Sequence, residues 1–565
     1  MEDQKLENLL NLALDATEEE REKSPELEAG YDPGERTWEL IVRYSGSLEE
    51  VRDMGIRVEE LLSGYAILWA PQSRISEVSR LPQIEYMEKP KRLFFAVYQA
   101  RAASCLAPLQ EGGLGLTGKG TLVAVLDSGI DYFHPDFRNE DGSTRILLLW
   151  DQVLDRIFTQ EEINEALQAG SRRDGLSLVP SVDPGGHGTA VAGIAAGNGR
   201  ESGGRNRGVA YESQLLVVRL GVPEADGFPR TTQLMRAVDF AVRTGARLGM
   251  PTAVNISFGN TYGSHDGTSL LETFLDEAAG FGRNVIVVGT GNEGGSGGHT
   301  SGRLEMGREE EILLSVAPFE TGFSVQLWKS YADRFRIRLA APSGEEFGPF
   351  PEQPGTRRYR YRETEILLYY GEPSPYSQAQ EIFFDFLPGD TYLNSGVWRI
   401  LLEPVRLVTG RFDLWLPSHS SLNPATRFLA PVPDITLTIP STARKVISVG
   451  AYDASYQSYA QFSGRGYTRV GSLVKPELSA PGTDILTTLS GGGYGRVTGT
   501  SFAAPFVTGT SSLLMEWGIN QGNDPYLYGE KVKARLIRGA RHLSGFAEWP
   551  NPELGYGVLC AADSL

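Results

Sequence analysis

Apolar and polar residues alternate at two different periods in the first part of the chain. Residues 38–44 and 65–69 alternate at every second position, which predicts strands. Residues 48–54 and 75–81 repeat at helical spacing, which predicts helices. Together they indicate a small α+β unit. The first thirty-odd residues, with an acidic cluster at 18–22, are predicted to form a solvated helix or a frayed tail.

From residue 120 onward, apolar runs of strand length alternate with longer runs of helical period. Such alternation predicts stacked βαβ units, and hence a parallel sheet with helices on both faces. Strands are predicted at 122–126, 215–219, 253–257, 285–288 and 446–450, and helices at 187–196, 232–243, 270–279, 501–517 and 531–537.

The helical runs stop between about residues 303 and 429, where strands of period two are punctuated by proline and glycine. Strands are predicted there at 335–339, 382–386, 397–401 and 412–416. This stretch predicts an all-β sandwich or jelly roll inserted into the α/β domain.

Composition narrows the classes of function. The formal net charge of −18 argues against a general binder of nucleic acid or of anionic membranes, because such partners select basic surfaces. The N-terminal residues lack a basic start followed by an apolar run, and no apolar stretch is long enough to span a membrane. We therefore expect cytoplasmic synthesis, with neither a signal peptide nor a membrane span.

The two cysteines, Cys105 and Cys560, lie near opposite ends of the α/β part of the chain, and their spacing is not that of a metal site. A disulfide between them stays open as an alternative. We expect two free thiols.

Two residues with catalytic chemistry stand at the ends of predicted elements. Asp127 follows the strand at 122–126, and His187 opens a helix between glycines. A carboxylate can hold a histidine in one tautomer, and small neighbours let a substrate backbone approach the imidazole. Taken singly, Asp127 is also interpretable as a turn or cap residue, and His187 as a structural histidine.

Ser501 and Asn292 supply the remaining parts of a hydrolytic site. Ser501 opens the helix at 501–517, where the helix dipole and its own backbone N–H favour developing negative charge. Asn292 follows the strand at 285–288 and can donate its side-chain amide to the same oxyanion. An N-cap serine and a turn asparagine are the simpler interpretations. The joint occurrence of Asp, His and Ser in this order favours a catalytic triad.

Four motifs in order resemble the subtilase family of serine proteases. They are Asp-Ser-Gly-Ile-Asp at 127–131, Gly-His-Gly-Thr-Ala-Val-Ala-Gly at 186–193, Gly-Asn-Glu at 291–293 and Gly-Thr-Ser-Phe-Ala-Ala-Pro at 499–505. The resemblance implies an α/β fold with a subtilisin-like parallel sheet, and a serine endopeptidase that needs no cofactor. It implies Asp127, His187 and Ser501 as the triad, with Asn292 and the Ser501 N–H as the oxyanion hole.

The same resemblance implies residues that contact substrate, propeptide and metal. Extended substrate would lie as an added strand along Ser257, Phe258, Gly259, Gly289, Thr290 and Gly291. The α+β unit is similar to a subtilase propeptide, which would occupy the cleft and be cut near Gln99, within a linker at 95–104 that we expect to be exposed. Asp136 matches a calcium-ligating position of many subtilases, but the loop after His187 departs from their pattern, so a turn-capping role for Asp136 stays open.

More narrowly, the arrangement resembles the Csp germination proteases of spore-forming Clostridia. The motifs that carry this are Asp-Pro-Gly-Gly-His-Gly-Thr at 183–189, Gln-Phe-Ser-Gly-Arg-Gly-Tyr at 461–467 and Lys-Pro-Glu-Leu-Ser-Ala-Pro-Gly at 475–482. The resulting division is an acidic segment at 1–35, a propeptide at 36–99, a catalytic domain at 100–302 and 433–565, and an inserted jelly roll at 303–432.

This resemblance implies limited proteolysis of a protein substrate, the proenzyme of a spore-cortex hydrolase, by an enzyme associated with the spore. Related subtilase pseudoproteases are the other implied partners. Two alternatives stay open: a non-catalytic regulator or germinant sensor that retains its propeptide, and a general intracellular subtilisin.

Overall fold

The computed structural model describes residues 5–18, 30–61, 64–90, 96–221, 229–471 and 473–565. The chain divides into two compact units, Met1–Phe95 and Ala96–Leu565. Each unit has its own hydrophobic core, so each is described by itself.

The first unit is an antiparallel sheet with short helices. Its described strands are Tyr31–Asp32, Thr37–Tyr44, Arg57–Leu61, Tyr65–Pro71 and Ile84–Glu88, and its helices are Asn8–Asp15, Glu49–Asp53 and Ile75–Ser79, with a 3₁₀ turn at Gln72–Arg74. Trp38, Leu40 and Val42 are buried at alternate positions of one strand, which confirms the predicted period of two.

The N-terminal helix Asn8–Asp15 corrects the prediction of a solvated start. Leu10 and Ala13 of this helix are fully buried in the core of the first unit. Leu6, just before it, pairs with Met87 through an isolated β-bridge. The helix is therefore part of the folded unit, while residues 19–22 of the acidic cluster lie outside the described residues.

The predicted linker at 95–104 is helical over most of its length, and its buried positions contradict the expectation of an exposed segment. A helix spans Ala96–Ala103, with Ala100 and Ser104 buried. Arg101 donates to the backbone carbonyl of Gly208 and to the side chain of Gln110. This segment therefore packs as an integral part of the second unit.

The second unit is built on a sheet that has nine strands within the described residues. Seven run parallel in the order Leu478–Pro481, Ile447–Asp453, Asn284–Gly289, Thr252–Ile256, Leu122–Asp127, Gln214–Arg219 and Ile146–Asp151, and two antiparallel strands, Ser458–Tyr459 and Arg156–Thr159, pair at the edges. The described helices are Ala96–Ala103, Ala107–Gln110, Gln160–Gln168, Arg172–Leu178, His187–Ala196, Thr231–Leu248, Leu270–Ala279, Thr500–Met515 and Glu530–Arg538. Short 3₁₀ or π turns lie at Pro135–Phe137, Arg200–Ser202, His419–Ser421, Glu516–Asn520 and Ala562–Ser564.

The strand Leu122–Asp127 shows why helices cover both faces of this sheet. Val123 and Val125 belong to one hydrophobic core, and Leu122 and Ala124 belong to another. A strand that is buried on both faces needs a continuous apolar run, which this strand has from Leu122 to Leu126, ahead of its terminal Asp127. The predicted helices on both faces are thereby confirmed.

The insertion consists of two antiparallel sheets that share one core. Its strands are His299–Arg303, Glu310–Val316, Phe323–Ser330, Arg334–Ala340, Glu346–Phe347, Gly355–Tyr361, Thr364–Tyr370, Ala379–Pro388, Gly396–Arg406, Arg411–Trp415 and Arg427–Phe428, and a separate hairpin, Ile485–Thr488 and Tyr494–Val497, precedes the last long helix. Phe386 of one sheet contacts Trp398 of the other, with ring centroids 5.3 Å apart. We retain the jelly roll as our interpretation of how these strands connect.

Cys105 and Cys560 form a disulfide, which corrects the expectation of free thiols. Their Cα atoms lie 4.9 Å apart, although 455 positions separate them in the chain. A hydrogen bond next to the disulfide also joins the two segments, since the Ala561 N–H donates to the Ser104 carbonyl at 2.9 Å. The disulfide therefore joins the beginning and the end of the second unit.

Candidate active site

Asp127 and His187 meet at the carboxyl edge of the parallel sheet. Asp127 is the last residue of the strand Leu122–Asp127, and His187 is the first residue of the helix His187–Ala196. The Asp127 Oδ1 and His187 Nδ1 atoms are 2.7 Å apart, and Asp127 is fully buried. The Ser128 N–H also donates to Oδ1, at 2.7 Å. Asp127 therefore fixes the tautomer of His187 that carries its proton on Nδ1 and leaves Nε2 to accept another.

The pKa of His187 is raised above its ordinary value. Burial lowers it, but the negative charge of Asp127, the hydrogen bond that His187 donates to Asp127 and the nearby charge of Asp183 together outweigh burial. The site thus stabilises the imidazolium that forms when His187 takes a proton.

Asp183 is a site residue that the sequence reasoning missed. Its Oδ2 accepts the Thr189 N–H at 2.8 Å, and its Oδ1 accepts the Gly186 N–H at 3.1 Å and the Ser128 hydroxyl at 2.8 Å. It therefore fixes the start of the helix that carries His187. The N-cap position itself is Gly186, so the capping pattern that marks a helix start in a sequence does not identify Asp183.

Ser501 lies in the first turn of the helix Thr500–Met515, whose N-cap is Gly499. The Ser501 hydroxyl donates to the Ser257 carbonyl at 3.4 Å, and the Ser257 hydroxyl donates to the Ser501 carbonyl at 3.1 Å. Within the described residues, no hydrogen bond joins Ser501 to His187. The Asp127–His187 half of the predicted triad is therefore assembled, whereas the nucleophile is turned toward Ser257.

Asn292 has its amide oriented by the residue before the nucleophile. Its Oδ1 accepts the Thr500 N–H at 3.1 Å and the Thr500 hydroxyl at 3.2 Å. This leaves Nδ2 to donate into the cleft that Asn292 and Ser501 line together. An amide donor in this position suits a developing oxyanion.

Asn292 and Ser501 lie along a cavity of about 310 Å³. The predicted substrate residues Ser257, Phe258, Gly259, Gly289 and Gly291 line it. Thr290 is fully buried between them, and its carbonyl accepts the Thr438 N–H at 2.9 Å. The lining residues that sequence reasoning missed are Glu293, Ser418, His419, Ser420, Thr438 and Thr500.

Asp136 is buried and satisfied by groups of the protein. Its two oxygens accept the Tyr494 hydroxyl at 3.0 and 2.8 Å, and Oδ1 also accepts the Glu201 N–H at 3.0 Å. Burial raises the pKa of Asp136, although these donors oppose the shift. Among the described residues, no group of three or more His, Cys, Asp or Glu could hold a metal ion. These donors occupy the Asp136 oxygens that calcium would need as ligands, so Asp136 does not fit a calcium site.

Two family models match the chain. The one described as Subtilase family matches residues 118–360 and 432–557, and the one described as Csp protease B prodomain matches residues 4–91. None of the described helices is long and apolar enough to cross a membrane.

Curated proteins of this kind are longer than the chain. It is 24% identical over 442 residues to the minor extracellular protease Vpr of Bacillus subtilis, which covers 72% of the chain and 48% of that protein. It is 23% identical over 460 residues to the PI-type proteinase of Lactococcus lactis, which covers 74% of the chain and 24% of that protein. The chain therefore spans about half or less of the length of these relatives.

A solved structure matches over nearly its whole length. The Clostridium perfringens CspB protease superposes with a TM-score of 0.78 and 38% sequence identity, and the match covers 83% of the chain and 96% of that protein. At this identity the likeness extends to the family as well as the fold.

Proposed function

The chain belongs to the subtilase family with a Csp-type prodomain at its N-terminal end, and from this we propose that it is a serine endopeptidase with Asp127, His187 and Ser501 as its triad. The observation that carries the proposal is the 2.7 Å contact between buried Asp127 and His187. The His187 ring lies 5.2 Å from that of Phe502, next to Ser501, and 6.1 Å from that of Phe258, which lines the cavity of Ser501 and Asn292. Each residue stands at the end of the element that the sequence motifs assign to it.

The reaction begins when Ser501 leaves the Ser257 carbonyl and donates to His187 Nε2. His187 takes the proton as Ser501 Oγ attacks the scissile carbonyl carbon, and Asp127 stabilises the imidazolium. The Asn292 Nδ2 and the Ser501 N–H hold the oxyanion. His187 then protonates the leaving amine, and water hydrolyses the acyl-enzyme by the same route.

The first unit suggests a substrate within the chain itself. Its match to a Csp prodomain supports a proposal that the enzyme cuts its own chain near Gln99, just inside the second unit, and that the released propeptide acts as an inhibitor in the cleft. Gln99 lies within the helix Ala96–Ala103. Because peptidases of this kind bind extended backbone, cleavage there requires this helix to unwind first.

The substitution Ser501→Ala tests autoprocessing. We expect the purified variant to keep its full mass, whereas the parent chain yields an N-terminal fragment that ends near Gln99. His542→Ala is the control, because His542 is exposed and stacks on Trp549 outside the cavity. Maturation of the purified Ser501→Ala variant would contradict the proposal.

The match to the CspB protease also supports a narrower role in germination. We propose that the enzyme activates the proenzyme of a spore-cortex hydrolase by limited cleavage, in association with the spore and with related subtilase pseudoproteases. Incubation with such a proenzyme should give one defined cleavage. Degradation of many unfolded proteins at similar rates would favour a general subtilisin instead.

One observation favours a second candidate, a non-catalytic regulator with a retained prodomain. The Ser501 hydroxyl is bonded to Ser257 and not to His187. In a regulator the Ser501 hydroxyl would stay bonded to Ser257. In an enzyme the Ser501 side chain would rotate so that its hydroxyl reaches His187. Reactivity of Ser501 toward a fluorophosphonate separates the two candidates.

A further inference from the structure

One edge of the insertion is rich in arginine. The strand Gly355–Tyr361 lies at the end of a six-stranded sheet, where it pairs with Thr364–Tyr370. The two strands and the turn between them hold four arginines and two glutamates: Arg357, Arg358, Arg360, Arg362, Glu363 and Glu365. The formal net charge of the whole chain is −18, so this edge is opposite in sign to the molecule that carries it.

None of the four arginines forms an ion pair with a carboxylate in the part of the chain that the structure describes. Two of them contact backbone oxygens: the Arg357 Nη1 donates to the Thr356 carbonyl at 3.1 Å, and the Arg360 Nε donates to the Arg362 carbonyl at 3.0 Å. The Arg362 guanidinium lies 5.1 Å from the centroid of the Tyr361 ring. Their positive charges are therefore not neutralised by the fold.

The second sheet of the insertion treats its arginines differently. The Arg336 Nη1 lies 2.6 Å from a carboxylate oxygen of Glu403, and the Arg399 Nη1 lies 3.2 Å from one of Glu311. The same β domain thus neutralises arginines on one sheet and leaves those at the edge of the other without acidic partners.

The backbone at this edge also has hydrogen-bonding groups without partners. Alternate residues of an antiparallel strand direct their N–H and C=O groups to opposite sides. On the side of Gly355–Tyr361 that faces away from Thr364–Tyr370, no backbone hydrogen bond joins the strand to another described residue. Another extended chain can pair with such an edge as an added strand.

The arginine side chains determine which chain would fit. Arg358 and Arg360 are both exposed, and two residues separate them, so they lie on one face of the strand. Glu365 lies opposite Arg360 on the neighbouring strand, but the two form no ion pair. An added strand would lie about 4.8 Å from the edge, within reach of both guanidinium groups. Acidic residues at every second position of that strand would meet them.

We propose that the edge strand Gly355–Tyr361 binds an acidic segment of a partner protein, which adds to the sheet as a strand and pairs its carboxylates with Arg358 and Arg360. Arginine suits this role because its planar guanidinium binds a carboxylate through two parallel hydrogen bonds. A nucleic acid would use the charges but not the backbone edge, and the net charge of −18 opposes so long a polyanion. The inference goes beyond the proposed endopeptidase function and does not require it.

Fluorescence anisotropy with a labelled peptide tests the proposal. In the peptide, glutamate alternates with threonine and valine, and the protein is the full chain with Ser501→Ala, so that the peptide is not cut. One comparison peptide has glutamine in place of glutamate, and another keeps the glutamates around two adjacent prolines. The arginines are removed by Arg358→Gln with Arg360→Gln. Arg336→Gln with Arg399→Gln is the matched control, because it removes the same charge from the other sheet.

We expect the change at Arg358 and Arg360 to weaken binding of the glutamate peptide by about tenfold at low salt, and the control to weaken it by less than about twofold. The glutamine and proline peptides should bind the parent about tenfold more weakly than the glutamate peptide does, because the first lacks charge and the second lacks strand hydrogen bonds. Charge reversal, Arg358→Glu with Arg360→Glu, should create binding of a peptide that has lysine in place of glutamate. That gain also shows that the edge remains folded.

Four results would overturn the inference. They are no measurable binding of the glutamate peptide, binding that the loss of both arginines leaves unchanged, equal binding of the proline peptide, and tighter binding of a single-stranded oligonucleotide. Labelling of Ser501 by a fluorophosphonate is measured separately on the parent chain. A failure of the docking site and a failure of the endopeptidase proposal are therefore distinguishable.

Discussion

Two parts of the candidate active site are built in opposite ways. One is the Asp127–His187 pair, and the other is the wall of the cavity formed by residues 418–420. Each member of the pair stands at the end of a sheet strand or at the start of a helix that packs on the sheet. The wall comes from an inserted β domain, and Ser418 and His419 in it donate hydrogen bonds to Glu293, the residue after Asn292. The difference teaches that the proposed triad depends on the parallel sheet of the α/β domain, whereas part of the cavity beside Ser501 is contributed by the insertion.

Removal of the proposed base, His187, should have the largest effect on activity. We expect His187→Ala to lower kcat by about 10⁶-fold, the loss known for subtilisin, because the Ser501 proton then loses the base that accepts it. Steady-state hydrolysis of a peptide substrate measures it, with His542→Ala as control. Retention of a tenth of the activity would show that His187 is not the base.

The oxyanion donor should have the next largest effect. We expect Asn292→Ala to lower kcat by about 10²–10³-fold with little change in KM, because its amide acts on charge that develops only in the transition state. Asn523→Ala, at an exposed position, is the matched control. A rise in KM by the same factor without a loss of kcat would show that Asn292 binds substrate and does not stabilise the transition state.

Asp183 should affect the pH dependence more than the rate. Activity requires neutral His187 and is lost as pH falls through its pKa, which the charge of Asp183 helps to raise. Asp183→Asn removes that charge, so the acid limb of the kcat/KM profile should move to lower pH. The weakened helix start should also cost about 1–3 kcal/mol of stability in a denaturant titration. An acid limb that stays in place would contradict the electrostatic role of Asp183.

The smallest effect on activity is expected from a change at Thr438, which lines the cavity. Thr438→Val conserves volume but removes the hydroxyl that donates to Thr290. We expect KM to rise by about two- to tenfold, the equivalent of one neutral hydrogen bond, with kcat nearly unchanged. A hundredfold loss of kcat would show that Thr438 takes part in catalysis, and it would contradict the assignment of Thr438 to substrate binding.

The same contrast explains how much the sequence could predict. The helices at 187–196 and 270–279 have the predicted bounds. The second is marked by an apolar period and by Ser269, which caps it together with Glu272. The first is an alanine-rich run bounded by Gly186 and Gly197. Asp127, His187 and Asn292 follow from motifs at element ends. The wall at 418–420 and the pairing of Cys105 with Cys560 depend on contacts across more than a hundred residues, for which local patterns carry no information.

Two predictions failed because buried contacts outweighed a polar or flexible composition. The helix Asn8–Asp15 belongs to an acidic stretch but buries Leu10 and Ala13. The segment at 96–103 is rich in alanine, which suits a linker as well as a helix, and burial of Ala100 selects the helix.

Whether Ser501 is an active nucleophile is tested most directly by covalent labelling. The parent chain is treated with a biotinylated fluorophosphonate, and the modified residue is located by peptide mass spectrometry, with His187→Ala treated in parallel. The proposed triad predicts one adduct, on Ser501, that His187→Ala almost abolishes. A parent chain that remains unlabelled, or an adduct that does not depend on His187, would contradict it.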